Sequence, residues 1–490
     1  MKLHDGCSPS TERRLLLSVI AGSLVVSGLP KIAHGVGDDL HVKAAEKARR
    51  LSANGSKVLK LLIPKGCSEN VAPVISAFNE MTGILVETTE AAVDDINTQL
   101  LLESMTGAGV HDLALPATFG LPDLVSARAI IPLTEYAKKH EPLGFREAVL
   151  YNIGDSFDDQ IYGFQADGDA YLMFYNREYL ENVDEQKRYE DKFGEMLSIP
   201  RTWHELDQQL AFFHRPETKQ YGGLLFRTAG YLGWEWWVRF HAKGYWPLSP
   251  TLEPQINNAA GIQALEEMIQ ASQYLAPGAE SLGLFANWER YSHGDIYCNI
   301  GWGGSQKYLN GPKSAIRGKM VYGPTPGGIV DNKLLLTPYF NWGWNYVVTT
   351  GSNVPELAYL FALFSSSSIM STESVRQQGG YFDPFRPEHY QDTEIQRIYS
   401  QEFLSVHQDS LKNSIPDLYL ANQGQYIQTL NNWLDRALSG AVTATEALNR
   451  VAEHWNIIND RSDIRLQQER WRNLRGKYPE TVRNLLRDIV

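Results

Sequence analysis

Asp158-Asp159-Gln160-Ile161-Tyr162-Gly163-Phe164-Gln165 and, just beyond it, Ala170-Tyr171-Leu172-Met173-Phe174-Tyr175-Asn176 decide how this chain folds. The first run is a polar turn entering a short apolar strand. The second is an unbroken aromatic and aliphatic run, composed like a buried strand. Between them stand Asp167, Gly168 and Asp169. An Asp-Gly pair between two strands reads as a surface hairpin turn, or as a flexible acidic hinge where the chain leaves one lobe and enters another. On the second reading, Asp167, Asp169 and the neighbouring tyrosines face a cleft between lobes, where ligands usually sit.

Toward the N-terminus, Val58 to Ile63 reads as a buried strand broken by Pro64 and Gly66. Val71, Val74, Ile75 and Phe78 recur at helical spacing, Gly83 supplies a stop, and Ile84-Leu85-Val86 is a second strand. Strand, helix, strand is a right-handed parallel unit. Ligands bind at the carboxyl ends of strands in such sheets, which makes Glu69, in the loop Lys65 to Asn70, a candidate ligand contact. His111 to Leu115 is another short strand, and Phe119 in its carboxyl-end loop is a second candidate. The charged, alanine-rich residues 38–55 read as a solvated helix or tail.

Toward the C-terminus, Thr202 and Glu205 form a capping box. Ile296 to Ile300 is a strand ending in Gly301-Trp302-Gly303-Gly304. Pro324, Pro326, Gly327 and Gly328 make a candidate return crossing between lobes, and Gly379 to Pro384 a third. Phe340, Trp342, Trp344, Tyr346 and Val348 share one face of a strand by parity. Leucines at Leu430, Leu434 and Leu438, then a second capping box at Thr443 and Glu446, give a helical C-terminus; residues 460–490 read as an extra surface helix.

The totals set the class. A chain of 490 residues, 43% hydrophobic and 21% charged, has material for two or three domains. A net charge of −12 argues against nucleic acid or an anionic membrane surface as partner. Arg13-Arg14 precede an uncharged apolar run from Leu15 to Leu29 and small residues at Ala33-His34-Gly35, the layout of an export signal over residues 1–35. Of Cys7, Cys67 and Cys298, the first leaves with that signal, and the other two read as buried thiols rather than a disulfide. No cysteine–histidine spacing fits a metal site, and nucleophile-elbow, zincin, P-loop and dinucleotide signatures are absent from the sequence.

Four stretches carry a resemblance: Gln160-Ile161-Tyr162-Gly163 running into Leu172 to Asn176; Pro200-Arg201-Thr202-Trp203 with Glu205; Gly294-Asp295-Ile296 through Trp302; and Gly440 with Glu446-Ala447-Leu448. In this order the chain resembles the type II periplasmic solute-binding proteins of ABC importers, and among them the extracellular solute-binding proteins of family 1, which mostly take carbohydrates and polyols. The resemblance covers most of residues 56–458. It implies an α/β fold of two doubly wound lobes joined by hinge crossings. Lobe 1 is expected over 56–165 plus 329–379, and lobe 2 over 166–328 plus 380–490, after a tail at 36–55. It implies a monomeric periplasmic receptor without catalysis, metal or cofactor. Such a receptor closes on a sugar or polyol and presents it to a membrane permease. A secreted carbohydrate-active enzyme and a binding protein for another small polar solute are the alternatives.

Sugars are held by aromatic faces against the C–H face of the ring, and by carboxylates, amides and guanidinium groups on the hydroxyls. Trp302, Trp342, Trp344 and Trp234 are the expected stacking residues. Asp167, Asp169, Glu69 and Arg386 are the polar contacts, and Phe119 is an apolar one.

Overall fold

The computed structural model describes residues 39–55, 58–107 and 109–489. The export signal read over residues 1–35 lies outside them. Two five-stranded sheets organise these residues. The first has the order β2-β1-β3-β14-β6, with β1 (Val58–Pro64), β2 (Leu85–Ala91), β3 (Leu113–Ala114), β6 (Gly163–Gln165) and β14 (Asn345–Val348). β1 runs parallel to β2 and β3, and β14 runs antiparallel to β3 and β6. The second has the order β10-β7-β9-β8, with β7 (Ala170–Asn176), β8 (Tyr221–Leu224), β9 (Ile296–Gly301) and β10 (Met320–Pro324). β13 (Tyr339–Phe340) extends it by pairing with the start of β7. Two small hairpins, β4 (Ser156–Phe157) with β5 (Gln160–Ile161) and β11 (Gly328–Val330) with β12 (Lys333–Leu335), lie off both sheets.

These sheets are the cores of two lobes, and the opening stretch of sequence links them. β6 belongs to the first sheet and β7 to the second, so the chain changes lobe over residues 166–169. All seven residues of β7 are buried, because it is flanked by strands on both edges and covered on both faces. Asp167 and Asp169 are buried too, at 0% and 7% exposure, so the link is a packed passage rather than a solvated surface turn.

The second passage departs from expectation. The Pro324–Gly328 segment leads from β10 into the β11–β12 hairpin, and the chain returns to the second sheet as β13. It crosses to β14 later, over residues 341–344. A Pro-Gly turn marks a change of direction and carries no information about which sheet comes next. For the same reason Phe340, Trp342, Trp344 and Tyr346 do not share one strand face. The parity breaks at Gly343, whose φ of 65° lies in the left-handed region. The third passage connects the helix Ser368–Val375, packed on the helix Ser68–Thr82 beside the first sheet, to the helices Thr393–Tyr399 and Gln401–Lys412, the latter lying on β7 and β10.

Residues 40–51 form a helix that is part of the fold, not a tail. Leu40, Ala44, Ala45 and Ala48 are buried along the helices Pro355–Ser365 and Ser68–Thr82. Alanine at these positions lets the backbones approach closely while the charged residues stay outside. Of the two capping boxes expected from the sequence, the threonine half is made in each: Thr202 accepts from the Glu205 N–H at 3.2 Å and Thr443 from the Glu446 N–H at 3.1 Å, while the Glu205 carboxylate accepts from the Arg201 N–H at 2.6 Å rather than from that of Thr202. The C-terminal helix Ile464–Lys477 is anchored rather than loose on the surface. Trp471 is buried and its indole N–H donates to the Leu248 carbonyl at 3.2 Å. Cys67 and Cys298 are separate buried thiols. No helix among the described residues is long and apolar enough to cross a membrane.

Candidate functional site

The three passages and the carboxyl ends of the strands converge on one aromatic cluster. Trp302 follows β9 and opens the helix Gly303–Leu309. Its indole N–H donates to Asn341 Oδ1 at 2.9 Å, which ties the end of β9 to the second passage. Trp342, one residue on from Asn341, lies 5.4 Å from Trp302, edge to face. Trp234 comes from the helix Leu232–His241, 5.7 Å from Trp302 and 5.1 Å from Trp342. Its neighbours Trp236 and Trp237 are fully buried in the core, so the helix turns one of its three tryptophans to this cluster. Phe119, from the short turn after β3 in the other lobe, closes the group at 6.0 Å from Trp342 and 6.3 Å from Trp234. Trp344 sits 5.9 Å from Trp342 and 6.2 Å from Tyr381 of the third passage. Edge-to-face pairs at these separations fix ring orientation as well as burying area.

Asp169, Trp288, Trp302, Trp342, Trp344 and Tyr381 line a cavity of about 20 Å³ within this cluster. That is room for about one water molecule. A wider, apolar groove of about 440 Å³ between Leu334–Leu336 and Val482 holds none of the residues expected at the site.

Behind the cavity lies an acidic cluster. The carboxylate oxygens of Asp167, Asp169 and Asp383 come within 4.8 Å of one another. Asp383 belongs to the third passage, so the first and third passages meet here. Asp383 N–H donates to Asp167 at 2.6 Å, and the Gly343 N–H of the second passage donates to Asp169 at 3.3 Å. Gly304 N–H at 3.1 Å and the Tyr399 hydroxyl at 2.7 Å donate to Asp383. Gly168 has no room for a side chain, since a β-carbon there would stand 2.1 Å from the Pro384 carbonyl oxygen. Burial, and then the charge of neighbouring carboxylates, raises Asp167 and Asp169 well above the ordinary carboxylate range. With N–H and O–H donors on both Asp383 oxygens and on one oxygen each of Asp167 and Asp169, the cluster suits shared protons better than a divalent ion.

The sequence-derived candidates thus divide. Trp302, Trp342, Trp344, Trp234, Phe119 and Asp169 come together, with Asp167 directly behind Asp169. Glu69 and Arg386 do not join them. Glu69 is exposed at the start of its helix, against Gly379. Arg386 is buried elsewhere; it donates to the Ser366 carbonyl at 2.8 Å and stacks over Phe145 at 4.9 Å. Burial pushes its guanidinium down to about 10. Sequence reading missed Tyr381, Trp288, Asp383 and Tyr231. The Tyr231 hydroxyl donates to Asp94, in the loop after β2, at 3.2 Å, a direct link between lobes. A tyrosine directly before the Trp234 helix was the available hint.

Two lobes around an aromatic, carboxylate-bearing cleft define the class of two-lobed solute receptors. The chain belongs to the family of bacterial extracellular solute-binding proteins, which matches residues 74–398. No curated protein matches the sequence. Among solved structures, the fold is similar to an ABC transporter solute-binding protein from Agrobacterium radiobacter K84 in complex with ribitol. The two share 16% identity with a TM-score of 0.71, over 82% of this chain and 98% of that one. It is similar also to one from Thermotoga lettingae TMO bound with α-D-tagatose (21% identity, TM-score 0.68, 82% and 100% covered). The maltose-bound T. maritima MalE3 is a third (16% identity, TM-score 0.68, 82% and 99% covered).

Proposed function

We propose that this chain is the exported receptor of an ABC importer, capturing a sugar or polyol between its lobes and handing it unchanged to a membrane permease. One observation carries the reading: four tryptophans from three separated segments converge on a cavity edged by a buried carboxylate, between the two sheets. Flat rings and directional oxygen acceptors are the two devices that recognise a polyhydroxylated solute. The similar structures named above, with ribitol, tagatose and maltose, support the same solute class. The Arg13-Arg14 and Leu15–Leu29 layout supports export to the periplasm, and the family supports an extracytoplasmic site of action. The receptor acts as a monomer with no cofactor and no catalytic step.

The cavity is smaller than a sugar ring, so binding works through the lobes parting and closing again, the ligand favouring the closed form by touching both. A thermal-shift panel of sugars and polyols, run with a product assay, tests this. A raised melting temperature without turnover supports the receptor. Turnover, or a flat response across the panel, overturns it.

A further inference from the structure

The floor of the cleft gathers more carboxyl groups than its surroundings can hold ionised. Three carboxylates are buried within 4.8 Å of one another. The cation facing them is Lys307, whose ammonium is committed to the Val375 and Gln377 carbonyls at 3.0 Å each. Tyr381, Tyr390, Tyr399, His407 and Cys67 are further titratable groups turned toward the cluster, and Glu69 adds a further negative charge from the helix Ser68–Thr82. One oxygen of Asp167 is buried without a hydrogen-bond partner. Asp169 is the member of the three that reaches the cavity, beside Trp302, Trp342 and Trp344.

Rings around a desolvated carboxylate favour an ammonium over a neutral hydroxyl. The ring faces attract a cation, and a buried carboxylate gains more from a charged donor than from a neutral one. The same cavity also offers donors. The indole N–H groups of Trp288 and Trp342 are buried there without an acceptor, and hydroxyl oxygens would satisfy them. We propose that the solute is an amine-bearing sugar or polyol, its ammonium held by Asp169 among the tryptophans and its hydroxyl oxygens accepting from Trp288 and Trp342. This rests on the sugar-or-polyol reading and narrows it. An incoming ammonium takes over the neutralising role of protons held by Asp167 and Asp169, so capture expels protons to solvent.

The test uses matched pairs that differ by one amino group: D-glucosamine with D-glucose, D-galactosamine with D-galactose, and 1-amino-1-deoxy-D-sorbitol with D-sorbitol. Titration calorimetry of the mature protein near neutral pH, in two buffers of different ionisation enthalpy, reads affinity and proton release together. The expected result is at least tenfold tighter binding of the amine in a pair, with proton release that its neutral partner does not cause. Asp169→Asn then removes that preference; if this variant does not fold, the pairs on the parent protein decide. Equal or tighter binding of the neutral members overturns the amine while leaving the sugar reading standing. No binding by any member overturns both.

Discussion

Trp302 concentrates several roles in one side chain. It touches Trp234 and Trp342, tilts against Tyr171, and donates to Asn341. Trp302→Ala should weaken ligand binding at least tenfold, about 1.4 kcal/mol or more. The residue is 2% exposed, so the same change should also cost roughly 3–5 kcal/mol of stability. Calorimetric affinity and the unfolding midpoint separate the two, and parental affinity in a destabilised variant would remove Trp302 from the ligand contacts. Asp155 shows a different residue effect. Burial pushes its carboxyl up to about 7, against the pull of Arg146 at 3.7 Å. The native state therefore keeps a proton that the unfolded chain gives up near pH 4, at a carboxyl pKa of about 3.9. Stability from this group is full below that point and declines as pH rises toward about 7. Asp155→Asn should gain on the parent by up to roughly 4 kcal/mol across this window, at about 1.4 kcal/mol per pKa unit. Urea unfolding at both ends of the window checks it, and a constant difference would contradict it.

At the scale of elements, a helix of one lobe is capped by the other. Gln423–Leu438 packs on the helix Leu232–His241, yet Asn422 before it has a φ of 65° and offers no side-chain cap. Asp123, on the helix Leu121–Ser126 after β3, accepts the Gly424 N–H at 2.8 Å instead. A carboxylate at a helix N-terminus meets both the free N–H groups and the positive end of the dipole. Asp123→Ala should cost about 1 kcal/mol of closed form, lowering ligand affinity severalfold without altering the cleft; an unchanged dissociation constant would show that closure does not use this cap. Elements were also where the sequence was most and least legible. Strand periodicity placed β1, β7 and β9, and glycines marked helix ends, because these signals are local. The meeting of Asp383 with Asp167 spans 216 residues, and nothing local announces it. Tryptophan parity across residues 340–348 misled for a related reason. Alternation assumes a continuous strand, and one left-handed glycine resets it.

For the molecule as a whole, the three passages form a single packed joint. Gly168 abuts Pro384, Gly343 binds Asp169, and Asp383 binds Asp167. Motion at such a joint is small torsion at a few backbone positions, levered into opening at the rim where Tyr231 meets Asp94. Solution scattering should show a smaller radius of gyration on adding a panel sugar or polyol that raises the melting temperature. At a hundredfold excess over the dissociation constant, that ligand should add about 2.7 kcal/mol to stability. An unchanged radius with tight binding would mean the lobes do not move.

The anchoring of the last helix has a practical side. Arg470 grips Asp158 of the β4–β5 hairpin at 2.5 Å and covers Phe157, while Trp471 and Tyr478 seal Trp246. Anyone trimming the gene near codon 462 to imitate a shorter relative would strip the covering from Trp246 and Leu248. The recombinant product should then be recovered from inclusion bodies rather than from the soluble fraction.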